Sequence, residues 1–269
     1  RPHRGGYVET WLGEGYGRIA VPLFLLISGF LFYPSKETTF DKTLYFSKLK
    51  RRVKSLLVPY LLWNLIAYIL YAINKGFNFV DLLKSFWVID IPGRSGSSPM
   101  DGPLWYVRNL MLLMILSPII YWIVKRKFVA IILLTGWFVG VPPFNKGMFI
   151  ALTFFSMGGC LRYNDCSVKQ LRGHWFYMIF GVCLVSLPFI SHTIFSFVQR
   201  IMIVTGILSM LSIAKQLPRV NNNIYQELAS ATFFIYCCHD ILLTYIKPII
   251  SIYSTSWLAY LGVIIISLA

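Results

Sequence analysis

The sequence predicts an all-α fold: a polytopic helical membrane protein with nine visible transmembrane helices, forming one membrane-embedded domain over residues 1–269. Three observations carry that prediction. Apolar residues make up 57 % of the chain and charged residues only 13 %, against roughly 25 % charged in a soluble domain. Mean hydropathy is +0.66. The apolar residues also fall into runs near the ~20 residues that cross the hydrocarbon core as a helix, with short basic loops between them.

Taken in order, the spans are 17–34, 56–74, 104–124, 128–143, 147–161, 175–191, 194–214, 228–247 and 257–269. The first opens at Arg18-Ile19-Ala20-Val21-Pro22 and carries Ser28-Gly29. Pro22 frees a carbonyl within it, and the small pair permits close approach of a second helix. The fourth and fifth spans are short, and the ninth is still open at Ala269. Residues 1–16 are polar and Gly-rich, so the chain reads as cut at both ends. The longest loop, 75–103, holds Phe77, Phe79, Phe86 and Trp87, then a Gly/Ser/Pro stretch from Gly93 to Pro103. It reads as an interfacial half-helix followed by a flexible loop.

Net charge is +15, from 25 Lys+Arg and 10 Asp+Glu. Such a balance accompanies nucleic acid, membrane surfaces or acidic ligands. Here the cations lie between apolar spans, which argues against nucleic acid. With the visible start outside, the inside loops 35–55, 125–127, 162–174 and 215–227 hold seven, three, three and two Lys+Arg. That makes 15, against eight in the outside segments, with Arg108 and Arg200 inside spans. This positive-inside bias assigns the basic loops to the cytoplasm. A cytoplasmic N-terminus then requires one further span upstream, ten in all.

Cys160, Cys166, Cys183, Cys237 and Cys238 form no CxxC pair, and no His stands at metal-ligand spacing, so no metal site is expected. No GxSxG elbow, P-loop or HExxH motif is present. The strongest local signal is Lys48-Leu49-Lys50-Arg51-Arg52-Val53-Lys54, five cations in seven residues ahead of Leu56-Leu57-Val58-Pro59-Tyr60. Such a run serves topology and anionic-lipid contact. It equally suits a phosphorylated ligand, with Arg binding phosphate in a bidentate manner and Lys adding a point charge. On a helix, Arg51 and Lys54 share a face through their i,i+3 spacing, with Lys50 beside them.

Ionisable residues inside spans are the next signal. A charge at the bilayer centre costs about 2.5–3.5 kcal/mol on insertion scales, so such residues usually face an interior cavity. Arg108 follows Trp105-Tyr106-Val107, about one turn into its span; it either snorkels to the outer interface or faces a cavity. Arg200, in the seventh span, has the same two readings. His239 follows Phe233-Phe234-Ile235-Tyr236-Cys237-Cys238 and is either a packed residue or a proton carrier near neutral pH. Asp240 comes next and on a helix points about 100° away.

Five segments together resemble a known family. They are RIAVPLFLLISGFLF (18–32), KLKRRVKSLLVPY (48–60), GPLWYVRNLMLLMILSPIIYW (102–122), FFSMGGCLRY (154–163) and LASATFFIYCCHDILL (228–243). In this order and at these places in the topology they are similar to the acyltransferase-3 family of membrane acyltransferases.

The resemblance implies a ten-span fold in the bacterial cytoplasmic membrane. It implies transfer of an acyl group, most often acetyl, from cytoplasmic acetyl-CoA or another acyl-CoA to a hydroxyl of a cell-envelope sugar or glycan. It implies that an Arg-x-x-Arg-type motif engages the CoA donor. The matching positions are Arg51 and Lys54, with Lys50 and Arg52 beside them, and the Lys at the second position departs from the family pattern. The family's catalytic base is a His near the outer end of its first span. His3 is the candidate for it, and the family His of the eighth visible span maps onto His239. Arg108 is expected to steady an oxyanion, and Arg18, Ser28, Trp105 and Tyr106 to contact substrate. Expected partners are membrane lipid and a sugar acceptor; the sequence sets no oligomeric state.

Two other classes stay open on the residues. A transporter or flippase for a sugar or lipid-linked sugar suits many spans, Pro-broken helices and central charges, and predicts no dependence on acyl-CoA. A non-enzymatic membrane module would tolerate loss of Arg51, Arg52 and His239 alike.

Overall fold

The computed structural model describes residues 7, 10–38, 40–87, 89–91, 94–96, 99–140, 145–166, 175–216, 234–238 and 241. In chain order the helices are α1 (Gly17–Phe32), α2 (Lys42–Arg52), α3 (Val58–Lys75), α4 (Phe79–Ser85), α5 (Trp105–Ile115), α6 (Ser117–Val124), α7 (Lys127–Val139), α8 (Lys146–Tyr163), α9 (Trp175–Ser186) and α10 (His192–Gln216). Between α4 and α5 lie two short strands, β1 (Ile89–Ile91) and β2 (Arg94–Gly96). The protein is an all-α membrane protein, as the hydropathy predicts.

Part of the expected nine-span pattern falls within the described residues. Among the described residues three helical stretches are long and apolar enough to cross a membrane, Thr10–Phe32, Lys42–Lys75 and Ile194–Gln216. A fourth is reached if Gly102–Ile115 and Ser117–Val124, bent by 81°, count as one. Helix α7 has 13 residues, about 20 Å at 1.5 Å per residue, short of the ~30 Å hydrocarbon core. Most of the eighth predicted span and all of the ninth lie outside the described residues.

The chain forms two compact units, one of Arg1–Leu49 with Leu112–Pro218, the other of Lys50–Met111 with Arg219–Ala269. The first unit is organised by α1 against α8. Gly29 and Gly158 bring the two backbones together: a Cβ on Gly29 would stand 2.0 Å from the Phe155 carbonyl oxygen, and one on Gly158 would stand 1.9 Å from that of Leu26. Only glycine fits at either place. This is the small-residue packing expected between helices in lipid.

Residues 10–16, expected to lie ahead of the first span, instead wind as a π-helical stretch, Thr10–Tyr16, continuous with α1. Tertiary contacts override the polar composition. Glu14 pairs with Arg18 at 3.0 Å one turn on and accepts from Gln199 Nε2 at 2.9 Å.

The third predicted span is broken. Pro118 lacks the N–H that would continue the ladder, and the amides of Ile119 and Ile120 both turn to the Leu116 carbonyl at 3.0 Å. The Ile115 carbonyl, stripped of its helical partner, accepts from the Tyr45 hydroxyl at 3.0 Å. Tyr33, 1 % exposed, donates to the Ser117 carbonyl at 3.1 Å. Around these hydroxyls Phe32, Phe40, Tyr121 and Phe155 close an aromatic cluster with centroid spacings of 4.9–6.2 Å. Lys48 Nζ caps α1 by donating to the Phe32 carbonyl. The in-span Arg200 does the same for α7, its Nη1 donating to the Phe138 carbonyl at 2.7 Å. A cation suits the negative end of a helix dipole.

In the second unit α3 ends at Gly76, whose φ of +87° suits glycine. The loop 75–103 holds the predicted half-helix as α4, and within its Gly/Ser/Pro part Arg94–Gly96 forms a strand. Strands β1 and β2 pair antiparallel, with Ile91 opposite Arg94. Tyr68, buried in α3, donates to the Asn78 carbonyl at 2.6 Å and accepts from its amide at 2.9 Å. Asn64, also buried, donates to the Tyr60 carbonyl at 2.8 Å and accepts from the Asp101 amide at 3.1 Å.

Two predictions follow from this packing. Gly158→Ala overpacks the α1–α8 crossing at a cost of about 1–3 kcal/mol, lowering the melting midpoint of purified protein by several degrees. Gly181→Ala in α9, with nothing within 4 Å of the new methyl, leaves the midpoint unchanged or raises it. The second concerns Asp41, whose carboxylate accepts from the Leu44 amide and the Thr43 hydroxyl at 2.8 Å each. Those bonds, the Leu44 amide first, hold its pKa below the ordinary value. A depressed folded pKa gives stability that is present above the ordinary value of about 3.9 and is lost as pH falls through the folded one. Hydrogen exchange at Leu44 is expected to quicken only below about pH 4 in the native protein, and at every pH in Asp41→Ala.

Candidate active site

The second unit gathers a polar centre at the start of α5. The 3₁₀ turn Gly102–Leu104 leads into α5 and sets Arg108 one turn inside. Arg108 is 9 % exposed, so it is buried and not snorkelled to an interface. Its Nη1 donates to the Trp87 carbonyl, and its guanidinium lies over the Trp87 ring at 5.5 Å, within cation–π range. Nε and Nη2 face Asn109 Oδ1 at 3.4 Å, long for hydrogen bonds. The neighbouring Phe86 carbonyl accepts from the Tyr60 hydroxyl. Two consecutive carbonyls beyond α4 are thereby held by Tyr60 of α3 and Arg108 of α5.

Asp101 completes the centre. It is fully buried, its amide is fixed by Asn64, and its carboxylate lies within electrostatic range of Tyr60 and Cys237. A buried carboxylate requires compensation by charge or hydrogen bonds, so its position is strongly determined. Tyr106, 7 % exposed, packs edge-to-face on Tyr236 at 4.9 Å, whose hydroxyl donates to the Pro103 carbonyl. Trp105 is half-buried beside it. A guanidinium held in place by a carbonyl and an aromatic ring is a preorganised partner for negative charge developing on an oxygen.

Of the residues singled out in the sequence, Trp105, Tyr106 and Arg108 come together here. Lys50, Arg51 and Lys54 are exposed and Arg52 is half-buried, on the stretch that runs from the last turn of α2 to the start of α3. That stretch is helical but not uniformly α. Val53–Leu57 widens into a π turn just ahead of Pro59, whose ring would otherwise meet the carbonyl four residues back. Arg51 sits before the widening and Lys54 inside it, so the simple i,i+3 relation does not carry across. π-turns recur at functional sites. Arg18 is exposed and paired with Glu14, and Ser28 is half-buried beside the Gly29 crossing; both belong to the first unit. His3 and His239 lie outside the described residues.

Sequence reasoning missed Tyr60, Asn64 and Asp101. The signal for Asn64 was available, an amide inside the apolar run Leu61-Leu62-Trp63-Asn64-Leu65-Ile66, which requires a partner in hydrocarbon. Asp101, in a Gly/Ser/Pro loop, carried no such signal. Among the described residues no group of three or more His, Cys, Asp and Glu is placed to hold a metal ion.

Comparison with known proteins identifies the family. The model of the acyltransferase-3 family, described as an acyltransferase domain, matches residues 2–269. Succinoglycan biosynthesis protein ExoH of Rhizobium meliloti (strain 1021) is 27 % identical over 176 residues, which is 61 % of this chain and 46 % of that relative. The match therefore spans about half of the relative's length. No solved structure matches. With a family match over all but its first residue, the chain belongs to the acyltransferase-3 family of membrane acyltransferases.

Proposed function

We propose that the protein moves an acyl group, acetyl in the simplest case, from cytoplasmic acyl-CoA to a hydroxyl of a cell-envelope sugar or glycan, in the cytoplasmic membrane of a bacterium. The family match over residues 2–269 carries the reading. The relative's name, a succinoglycan biosynthesis protein, supports a glycan acceptor. The positive-inside pattern supports a cytoplasmic donor, because it assigns the exposed cations Lys50, Arg51 and Lys54, with Arg52, to that side.

In this reading the cations hold the CoA phosphates and the thioester enters the bundle. A His base, His3 or His239, takes the proton of the acceptor hydroxyl, and the resemblance favours His3. The hydroxyl oxygen attacks the thioester carbonyl, forming a C–O bond and an oxyanion. Collapse of that intermediate breaks the C–S bond and returns the proton to sulfur, giving an ester and CoA thiol. Arg108 steadies the oxyanion, and Trp87, through its carbonyl and ring, holds Arg108 in place.

Calorimetry on the detergent-purified protein is expected to show saturable acetyl-CoA binding, weakened at least about tenfold, or ~1.4 kcal/mol, in Arg51→Ala/Arg52→Ala/Lys54→Ala. Absence of binding in the full-length protein would sink the proposal and favour a transporter. Turnover is expected to separate the remaining roles. Arg108→Gln should lose about 10²–10³-fold in kcat with acetyl-CoA affinity retained. A purely structural Arg108 would show instead as a fallen melting midpoint with proportionate loss of binding. Of His3→Ala and His239→Ala, the one that removes the base should lose kcat by orders of magnitude, and a variant with unchanged turnover takes that His out of the mechanism.

A further inference from the structure

The first unit contains an apolar cavity that takes no part in the site above. Its volume is about 160 Å³ and its lining is almost wholly apolar. A cavity of ~150 Å³ accepts a six-carbon ring, so the space is large enough for a short length of hydrocarbon. Leu26 of α1, Leu134 of α7, Phe154 and Leu161 of α8, and Val204 and Leu211 of α10 form its walls. Cys166, exposed just beyond α8, also lines it and marks where it opens. Leu161 and Phe154 are separated by about 10 Å along α8, as are Leu211 and Val204 along α10, at 1.5 Å per residue. The cavity therefore runs along the helices, from the end that carries the basic loops towards mid-helix.

The charges at the mouth select the amphiphile. Arg162 directly follows Leu161, with its guanidinium over the Phe30 ring at 5.6 Å. Lys127 is within electrostatic range of Cys160, the residue before Leu161. Lys215 stands four residues beyond Leu211, in the last turn of α10. Against these three cations stands Asp165, next to Cys166. We propose that the cavity holds one acyl chain of an anionic phospholipid from the leaflet at this basic end, with its phosphate among Lys127 and Arg162. Apolar burial holds the chain, and the cations choose the headgroup. The site is independent of acyl transfer.

The test uses the full-length protein in phosphatidylcholine nanodiscs with and without phosphatidylglycerol. It reads the melting midpoint and the rate of maleimide labelling at Cys166 by peptide mass spectrometry. Phosphatidylglycerol is expected to raise the midpoint by roughly 2–4 °C and to slow labelling several-fold. Val204→Phe, which fills the inner end, is expected to lose both effects while keeping its midpoint in phosphatidylcholine. Lys127→Gln/Arg162→Gln, a change of exposed side chains only, is expected to reduce the phosphatidylglycerol effect to that of phosphatidylcholine. Equal behaviour of the two lipids in the native protein overturns the proposal. So does a full phosphatidylglycerol effect in Val204→Phe. Protection of Cys166 by hexanoyl-CoA beyond that by acetyl-CoA or phosphatidylglycerol also overturns it, and gives the cavity to the acyl arm of a donor.

Discussion

Hydrocarbon supplies no hydrogen bonds, so each peptide group that a helix releases inside the bilayer needs a partner from the protein itself. The described structure can be read as a set of answers to that requirement. Where Pro118 breaks the third span, the Ile115 carbonyl is taken by Tyr45, and Tyr33 adds a bond to the Ser117 carbonyl that opens α6. Where α1 and α7 end, Lys48 and Arg200 reach their last carbonyls. Beyond α4, Tyr60 and Arg108 hold Phe86 and Trp87. The donors are tyrosines, lysines and arginines because each pairs an apolar body with a polar tip. Every such bond also joins two elements, so local backbone need and tertiary structure are met by the same contacts.

This explains why two arginines of similar sequence context serve differently. Arg108 and Arg200 both sit in apolar runs, and hydropathy treats them alike. Arg200 ends on a helix C-terminus, where its charge is spent on a dipole and a carbonyl. Arg108 is stacked on Trp87 and buried beside Tyr60 and Asn109. Of the two, the second stands among further polar groups from α3 and α5 as well as a carbonyl beyond a helix end.

Much of the fold was legible because hydropathy and span length report the solvent directly. The α1–α8 contact was readable as well, since Ser28-Gly29 and Gly158-Gly159 are small residues in otherwise bulky runs. What escaped the reading depends on contacts distant in sequence. Thr10–Tyr16 looks like a polar leader, and is helical because Gln199 and Arg18 hold Glu14. The break at Leu116 was written in Pro118, but the span's length masked it. Within the site, Arg108 and Tyr106 were legible as polar groups beside an apolar run. Asn64 was legible in principle, and Asp101 was not, because its burial is created by the fold. His3, His239, most of the eighth predicted span and all of the ninth lie outside the described residues.

The glycine crossing of α1 and α8 has a mechanical corollary. Side chains at an interface can change rotamer and let one helix ratchet past another by a turn. Here carbonyl faces Cα, and there is nothing to rearrange. A shift of one turn would bring Leu25 or Tyr33 to the place of Gly29, or Phe154 or Arg162 to that of Gly158, and none of them fits a gap that excludes a single methyl group. The two helices therefore travel as a splinted pair, and bending is left to places where the winding is already irregular, among them the π stretches at Thr10–Tyr16 and Val53–Leu57 and the break at Leu116.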